Sequence, residues 1–191
     1  MTTHSFLGNR SNGIIMKINW IIDEVLAQSS YPFKDDLDEL YENKIRAIVS
    51  LEPHLHKELI QKMGFEHLEV HIRDYTAPNL HQFIQINKFV DEMRSLDKRV
   101  LVHCFQAGRS GTICAGYLIH EGMTYKAAIM EVRRKIPNAI ETSDQEHSLR
   151  EYEKVINIET VVDKSMSVVR VLKWPKEKLM IGMHGIYRRL K

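Results

Sequence analysis

The sequence is poor in cysteine, with Cys104 and Cys114 the two thiols in 191 residues. Two thiols cannot frame a disulfide-stapled secreted scaffold or a four-cysteine zinc site. They fit a reducing, cytoplasmic setting. No run of about 18 apolar residues occurs, so no membrane span is expected. The opening MTTHSFLGNRSNGIIMKINW has no basic segment before a long apolar run, so no secretory leader is expected either. Charge of one sign is also missing. Lys plus Arg is 27 against 25 for Asp plus Glu, a formal net charge of +2, which gives no reason to expect nucleic acid or a membrane surface as partner. The ten histidines, among them His54, His56, His67 and His71, lack the Glu-flanked helical spacing of a zinc protease, so no metal and no cofactor is expected. What is present is ordinary. A hydrophobic fraction of 43% and a charged fraction of 27% describe one globular domain whose core needs neither metal nor disulfide.

Composition divides the chain. Residues 1–16 are polar, with Gly8, Asn9, Ser11, Asn12 and Gly13, and read as a loose arm. Residues 17–158 alternate strands and helices. Strands are expected at Trp20–Ile22, Val25–Ala27, Ile45–Leu51, Phe65–Ile72 and Arg99–His103. Helices are expected at Asp35–Asn43, Leu55–Met63, Phe83–Leu96, Arg109–His120, from a Thr124 cap to before Pro137, and at Thr142–Asn157. This alternation implies an α/β domain with a central, mostly parallel sheet flanked by helices. Residues 159–191 form a basic extension, with Lys164, Arg170, Lys173, Arg188 and Arg189 among its cations. Its apolar content is too high for a disordered tail, so a strand or helix packing on the domain is expected. Its charge reads as a solvated face, with a docking site for an acidic partner as the alternative.

The segment that carries chemistry is RVLVHCFQAGRSGT, residues 99–112. An apolar strand delivers His103 and Cys104 to its C-terminal end, and a short loop containing Gly108 leads into a helix near Arg109. Ligands bind at this edge of open α/β sheets. Backbone N–H groups of such a loop converge on an anion, and the helix N-terminus adds partial positive charge. The same field favours a thiolate, at a pKa of roughly 3.5 to 7.5 instead of about 8.5. Arg109 adds a planar fork matched to two phosphate oxygens, and the Ser110 hydroxyl can donate to the sulfur.

These residues resemble the His-Cys-x5-Arg-Ser/Thr signature of the protein tyrosine and dual-specificity phosphatases, and the resemblance implies their fold and a loop curled around one phosphate. It makes Cys104 the nucleophile. Phe105, Gln106, Ala107, Gly108 and Arg109 become the phosphate cradle, and His103 a supporting residue that is not a proton shuttle. It also implies a general acid on a mobile loop about thirty residues upstream, where Asp74 stands in HIRDYTAPN. Arg73 there replaces the Pro that small relatives often have. RKIPNAIETSDQE, residues 134–146, is similar to a stretch of small atypical dual-specificity phosphatases and their archaeal relatives. Asn138 takes the place of the usual Gly, and Ser143 that of a frequent aromatic. By that likeness Gln145 positions the hydrolytic water, although Thr142 and Gln145 equally form a capping box.

The expected activity is hydrolysis of phosphotyrosine, with phosphoserine or phosphothreonine as further substrates, in a phosphorylated protein or peptide. Three alternatives stand beside it. One is a non-protein phosphate such as an inositide or an RNA 5′ end, although the loop carries no lysine. Another is a module that binds phosphopeptides without turnover. The third is a rhodanese-like sulfur transferase or arsenate reductase, which requires no acid loop at this spacing. Cys114 reads as a core residue, with a redox partner for Cys104 as the alternative. Oligomeric state is left open.

Overall fold

The computed structural model describes residues 16–54 and 56–171, with side chains described to residue 158. The expected arm lies outside the described residues except for Met16, which is buried in the core. Of the expected basic extension, only the backbone of residues 159–171 is described, and it continues the last helix. The chain divides within that helix, between Glu153 and Lys154, and the first unit holds the whole sheet.

Five strands form one sheet: β1 (Asn19–Ile22), β2 (Leu26–Ser29), β3 (Ile45–Ser50), β4 (Glu66–Glu69) and β5 (Arg99–His103). Their order is β1-β2-β5-β3-β4, antiparallel at β1–β2 and parallel elsewhere. The mostly parallel sheet expected from the sequence is therefore present. β3 and β5 read as near-continuous apolar, β-branched runs because helices cover both faces. β5 occupies the centre, with Ser29 of β2 and Ser50 of β3 both in register with His103.

One face of the sheet is covered through Leu37 and Leu40 of α1 (Leu37–Glu42) and Ile60 of α2 (Lys57–Lys62). These residues join Met16, Ala27, Ile45, Ile48, Phe65 and Leu101 in one buried cluster. Val100 and Val102 alternate with Leu101 and so point to the other face, where α3 (Leu80–Ser95) and α4 (Gly108–His120) pack against β5. Residues Gly108 to Ile119 of α4 are all buried, the polar Arg109, Ser110 and Thr112 included. Then come α5 (Tyr125–Lys135), whose Thr124 cap accepts the Ala127 N–H at 3.3 Å as the sequence predicts, and α6 (Ser143–Val171).

Among the boundaries that differ from expectation, three have a local cause or consequence. Helix α3 begins three residues before Phe83, because Asn79 and Gln82 form a reciprocal capping box with both bonds at 2.9 Å. Strand β4 ends at Glu69, yet Val70 N–H still donates to Ser50 O and Ile72 N–H to Leu51 O, each at 2.9 Å. The chain thus runs on beside the end of β3 and delivers Asp74 to the same edge as Cys104. Helix α6 continues to Val171, well past Asn157.

Close packing between α3 and α4 depends on Gly116, where an added Cβ would lie 2.4 Å from the Phe83 ring. That ring is itself fixed, stacked on Tyr152 at 4.7 Å. We expect Gly116→Ala to cost about 1–3 kcal/mol by overpacking, read as a lower urea midpoint with an unchanged denaturant slope.

Candidate active site

The site forms where β5 ends. Cys104 follows the strand directly, fully buried, and α4 starts four residues later at Gly108. Three groups approach the sulfur. Ser110 Oγ lies 3.2 Å from Sγ, the Ser110 N–H donates to it over 3.4 Å, and the Gln106 carbonyl faces it closely as an acceptor. Gly108 leaves room for Glu141, whose Oε1 would lie 2.0 Å from a Cβ at that position. Phe105 points outward, 65% exposed.

The loop departs from the signature it resembles. Four residues, Phe105 to Gly108, separate Cys104 from Arg109, where the signature has five. The expectation of a full-length phosphate loop is corrected accordingly. One fewer backbone N–H is available to an anion, and at Gln106 a carbonyl, not an N–H, faces the sulfur.

The expected lowering of the thiol pKa is also reversed. Burial pushes the Cys104 thiol up, and this outweighs the downward pull of the Ser110 hydroxyl and N–H bonds and of Arg109, while Glu52 adds to the rise. Cys114 lies wholly in the core, where burial pushes its thiol up further.

Arg109 is buried at 3% exposure, and both terminal nitrogens of its guanidinium are engaged. Its Nη1 donates to Ile72 O at 2.9 Å, and its Nη2 lies 3.2 Å from Asp74 Oδ1 and 3.5 Å from Glu52 Oε2. The structure therefore brings Cys104, Ser110, Arg109 and Asp74 to one edge. The Asp74 side chain is 47% exposed, and its carboxylate also accepts the Tyr75 N–H at 3.1 Å.

The segment holding Asp74 is tied at both sides. Gln82 Nε2 donates to His71 O at 2.9 Å, and Gln145 Nε2 donates to Thr76 O at 3.3 Å. Gln145 is fully buried, and its Oε1 accepts the N–H groups of Glu141 at 2.8 Å and Thr142 at 3.4 Å. Thr142 Oγ1 accepts the Gln145 N–H at 3.2 Å in return. The Gln145 side chain is thus engaged in capping α6 and anchoring the Asp74 segment.

His103 is buried behind the loop. Its Nε2 and that of His67 each lie 2.8 Å from Ser50 Oγ. His54 stacks on Tyr31 at 4.6 Å and meets His103 edge-on at 5.1 Å. Burial is the main reason these imidazoles resist protonation. His54 is lowered to about 4, helped by His67 and His56; His67 is lowered, and His103 falls well below its ordinary value. Among the described residues no cluster has the geometry to hold a metal ion.

Two residues at this edge escape a reading of the sequence alone. Glu52 follows β3, and nothing in LEPH marks it until the parallel register places it beside Arg109. Gln28, buried in β2, donates from Nε2 to Ser110 Oγ at 2.9 Å. Its one sequence signal is a long polar side chain inside an otherwise small or apolar strand.

This α/β sheet, with a cysteine at the end of its central strand and an arginine in the first turn of the next helix, defines a phosphatase-like class. Residues 25–123 match the family described as "Polymorphic toxin system, DSP-PTPase phosphatase", and the chain belongs to that family. It is 30% identical over 141 residues to the phosphatidylglycerophosphate phosphatase PTPMT2 of Arabidopsis thaliana, covering 70% of this chain and 62% of that protein. It is 28% identical over 135 residues to human dual specificity protein phosphatase 7, covering 69% of this chain but 32% of that one. The chain thus spans between about a third and three fifths of the length of these relatives. Among solved structures, Tk-PTP in its active form superposes with a TM-score of 0.67 at 35% identity, covering 72% of this chain and 96% of that one. The fold is that of the protein tyrosine phosphatases.

The histidine cluster gives stability a pH dependence of known sign. Folded pKa values below the unfolded value of about 6.5 mean that the unfolded chain binds protons the folded one refuses. The contribution of these histidines is fully present above about pH 6.5 and is lost as pH drops toward 4. We expect Tm to decline over this window, and His54→Phe to flatten the decline; an unchanged slope would remove His54 from the account.

Proposed function

We propose that the chain hydrolyses phosphotyrosine in protein or peptide substrates, with phosphoserine or phosphothreonine as further substrates, through a phosphocysteine. The observation that carries this reading is the convergence of Cys104, Ser110, Arg109 and Asp74 at one sheet edge. The Cys104 thiolate attacks phosphorus as the P–O bond to the leaving group breaks, and Asp74 gives that oxygen its proton. Water then attacks phosphorus, Asp74 takes up its proton, the S–P bond breaks, and inorganic phosphate leaves. Arg109 holds the phosphoryl oxygens, helped by the N-terminal N–H groups of α4. Gln145 acts at one remove in this scheme, keeping the Asp74 segment in place through Thr76.

A protein substrate is supported by the site's surface. The loop has no lysine, and exposed aromatic rings at Phe105 and Tyr75 flank Cys104 and Asp74 in the sequence. A second reading, a lipid phosphate, is favoured by the likeness to PTPMT2. Rates on phosphotyrosine and phosphothreonine peptides, phosphatidylglycerophosphate and an inositide separate the two. The shortened loop makes turnover the first quantity to measure, because a module that only binds releases no burst of phosphate.

Cys104→Ser should bring turnover below detection while phosphotyrosine-peptide binding persists. Hydrolysis by that variant would place the nucleophile elsewhere. Asp74→Asn should lower kcat about 10²–10⁴-fold for a poor leaving group and much less for p-nitrophenyl phosphate. Equal losses on the two substrates would take the proton-donor role from Asp74.

A further inference from the structure

Gln28 lies in β2 at 2% exposure, and both ends of its amide are occupied. Its Oε1 accepts from Asn19 Nδ2 at 3.0 Å, while its Nε2 donates to Ser29 O and to Ser110 Oγ, each at 2.9 Å. Ser29 O is a backbone carbonyl and can only accept, so the amide stands one way round. Ser110 Oγ therefore receives a hydrogen bond from Gln28, and its own proton must go to a different neighbour. Cys104 Sγ is 3.2 Å away.

A helical hydroxyl has a competing option, the carbonyl one turn back. Thr112, on the same helix, takes it, donating to Gly108 O at 2.7 Å. For Ser110 the corresponding carbonyl is that of Gln106, which instead faces the sulfur. Gln28 occupies the acceptor side of the hydroxyl and holds its oxygen against the sulfur.

We propose that Gln28 is a positioning residue that turns the Ser110 hydroxyl into a fixed hydrogen-bond donor to Cys104 Sγ. The bond favours the thiolate. In catalysis it would also ease departure of the sulfur when the phosphocysteine is hydrolysed, and that consequence alone rests on the phosphatase function proposed for the site. The sequence span joining the two residues is 82 positions, so the link exists only through the parallel pairing of β2 with β5.

The test is the pH dependence of iodoacetamide alkylation of Cys104 in the full chain, read by peptide mass mapping. Gln28→Leu should raise the midpoint by about half to one pH unit, the size of one lost hydrogen bond. That is a roughly three- to tenfold smaller thiolate fraction below the midpoint. Ser110→Ala should raise the midpoint similarly, and adding Gln28→Leu to it should do nothing more. A folded Gln28→Leu chain with an unmoved midpoint overturns the proposal, as do shifts that simply add. Asn19→Ala frees the amide from its anchor without emptying the core. It should give a smaller shift in the same direction, again absent in the Ser110→Ala background, and it decides the question alone if Gln28→Leu does not fold. Phosphate release separates this proposal from the assigned function. A midpoint shift in a chain without phosphatase activity keeps Gln28 and removes the enzyme, whereas activity without a shift does the reverse.

Discussion

A buried guanidinium organises this site. A guanidinium is permanently charged, so the burial of Arg109 requires partners, and an unpaired cation there would be strongly destabilising. The partners come from separate segments: Ile72 O and Asp74 from the chain beyond β4, and Glu52 from the end of β3. One side chain in the first turn of α4 thus fixes two carboxylates relative to the sulfur. In the proposed reaction the same fork seats the phosphoryl group. On the proposed reading, substrate competes with Glu52 and Asp74 for Arg109. The contact at 3.5 Å to Glu52 is the longer of the two, and loosening Asp74 from Arg109 is what would free the carboxyl for proton transfer.

The sulfur stands in a balance between burial and donors. Complete burial favours the thiol, and the Gln106 carbonyl accepts from S–H but offers nothing to a thiolate. Against these act the Ser110 N–H, the Ser110 hydroxyl and, through space, Arg109. The histidines behind the loop do not join this balance as cations, because burial keeps them neutral. His103 is therefore a packed, hydrogen-bonded wall behind the loop.

The alternation of apolar strands with amphipathic helices is enough to read the sheet, its mostly parallel sense and the place of Cys104 at a strand end. Asp74 is legible only through the family resemblance, standing thirty positions before Cys104 where that family carries an acid. The start of α3 is harder to read, because the Asn79–Gln82 box is polar and invisible to a search for apolar periodicity. Glu52 and Gln28 are illegible for a different reason. Each acts across strands adjacent only in the folded sheet, and a lone polar residue carries no local pattern. The thiol's upward shift is hidden because a sequence reveals the charges near a cysteine but not how completely water is excluded from it.

Loop length decides which of these groups matters most. A backbone nest holds an anion through several N–H groups, each contributing a modest share. Removing one residue between Cys104 and Arg109, and turning the Gln106 carbonyl toward the sulfur, takes some of those donors away. Whatever anion binding the site achieves then leans more on side chains, namely the Arg109 fork and the Ser110 hydroxyl. Side-chain donors are effective only when their rotamers are fixed, because an untethered hydroxyl turns to the nearest carbonyl. Here both are fixed from outside the loop, Arg109 by Ile72, Asp74 and Glu52, and Ser110 by Gln28. A short loop and a heavily buttressed pair of side chains are therefore two parts of one arrangement. The buttresses lie on β2, after β3 and after β4, so the sheet fixes the side-chain donors on which the short loop depends.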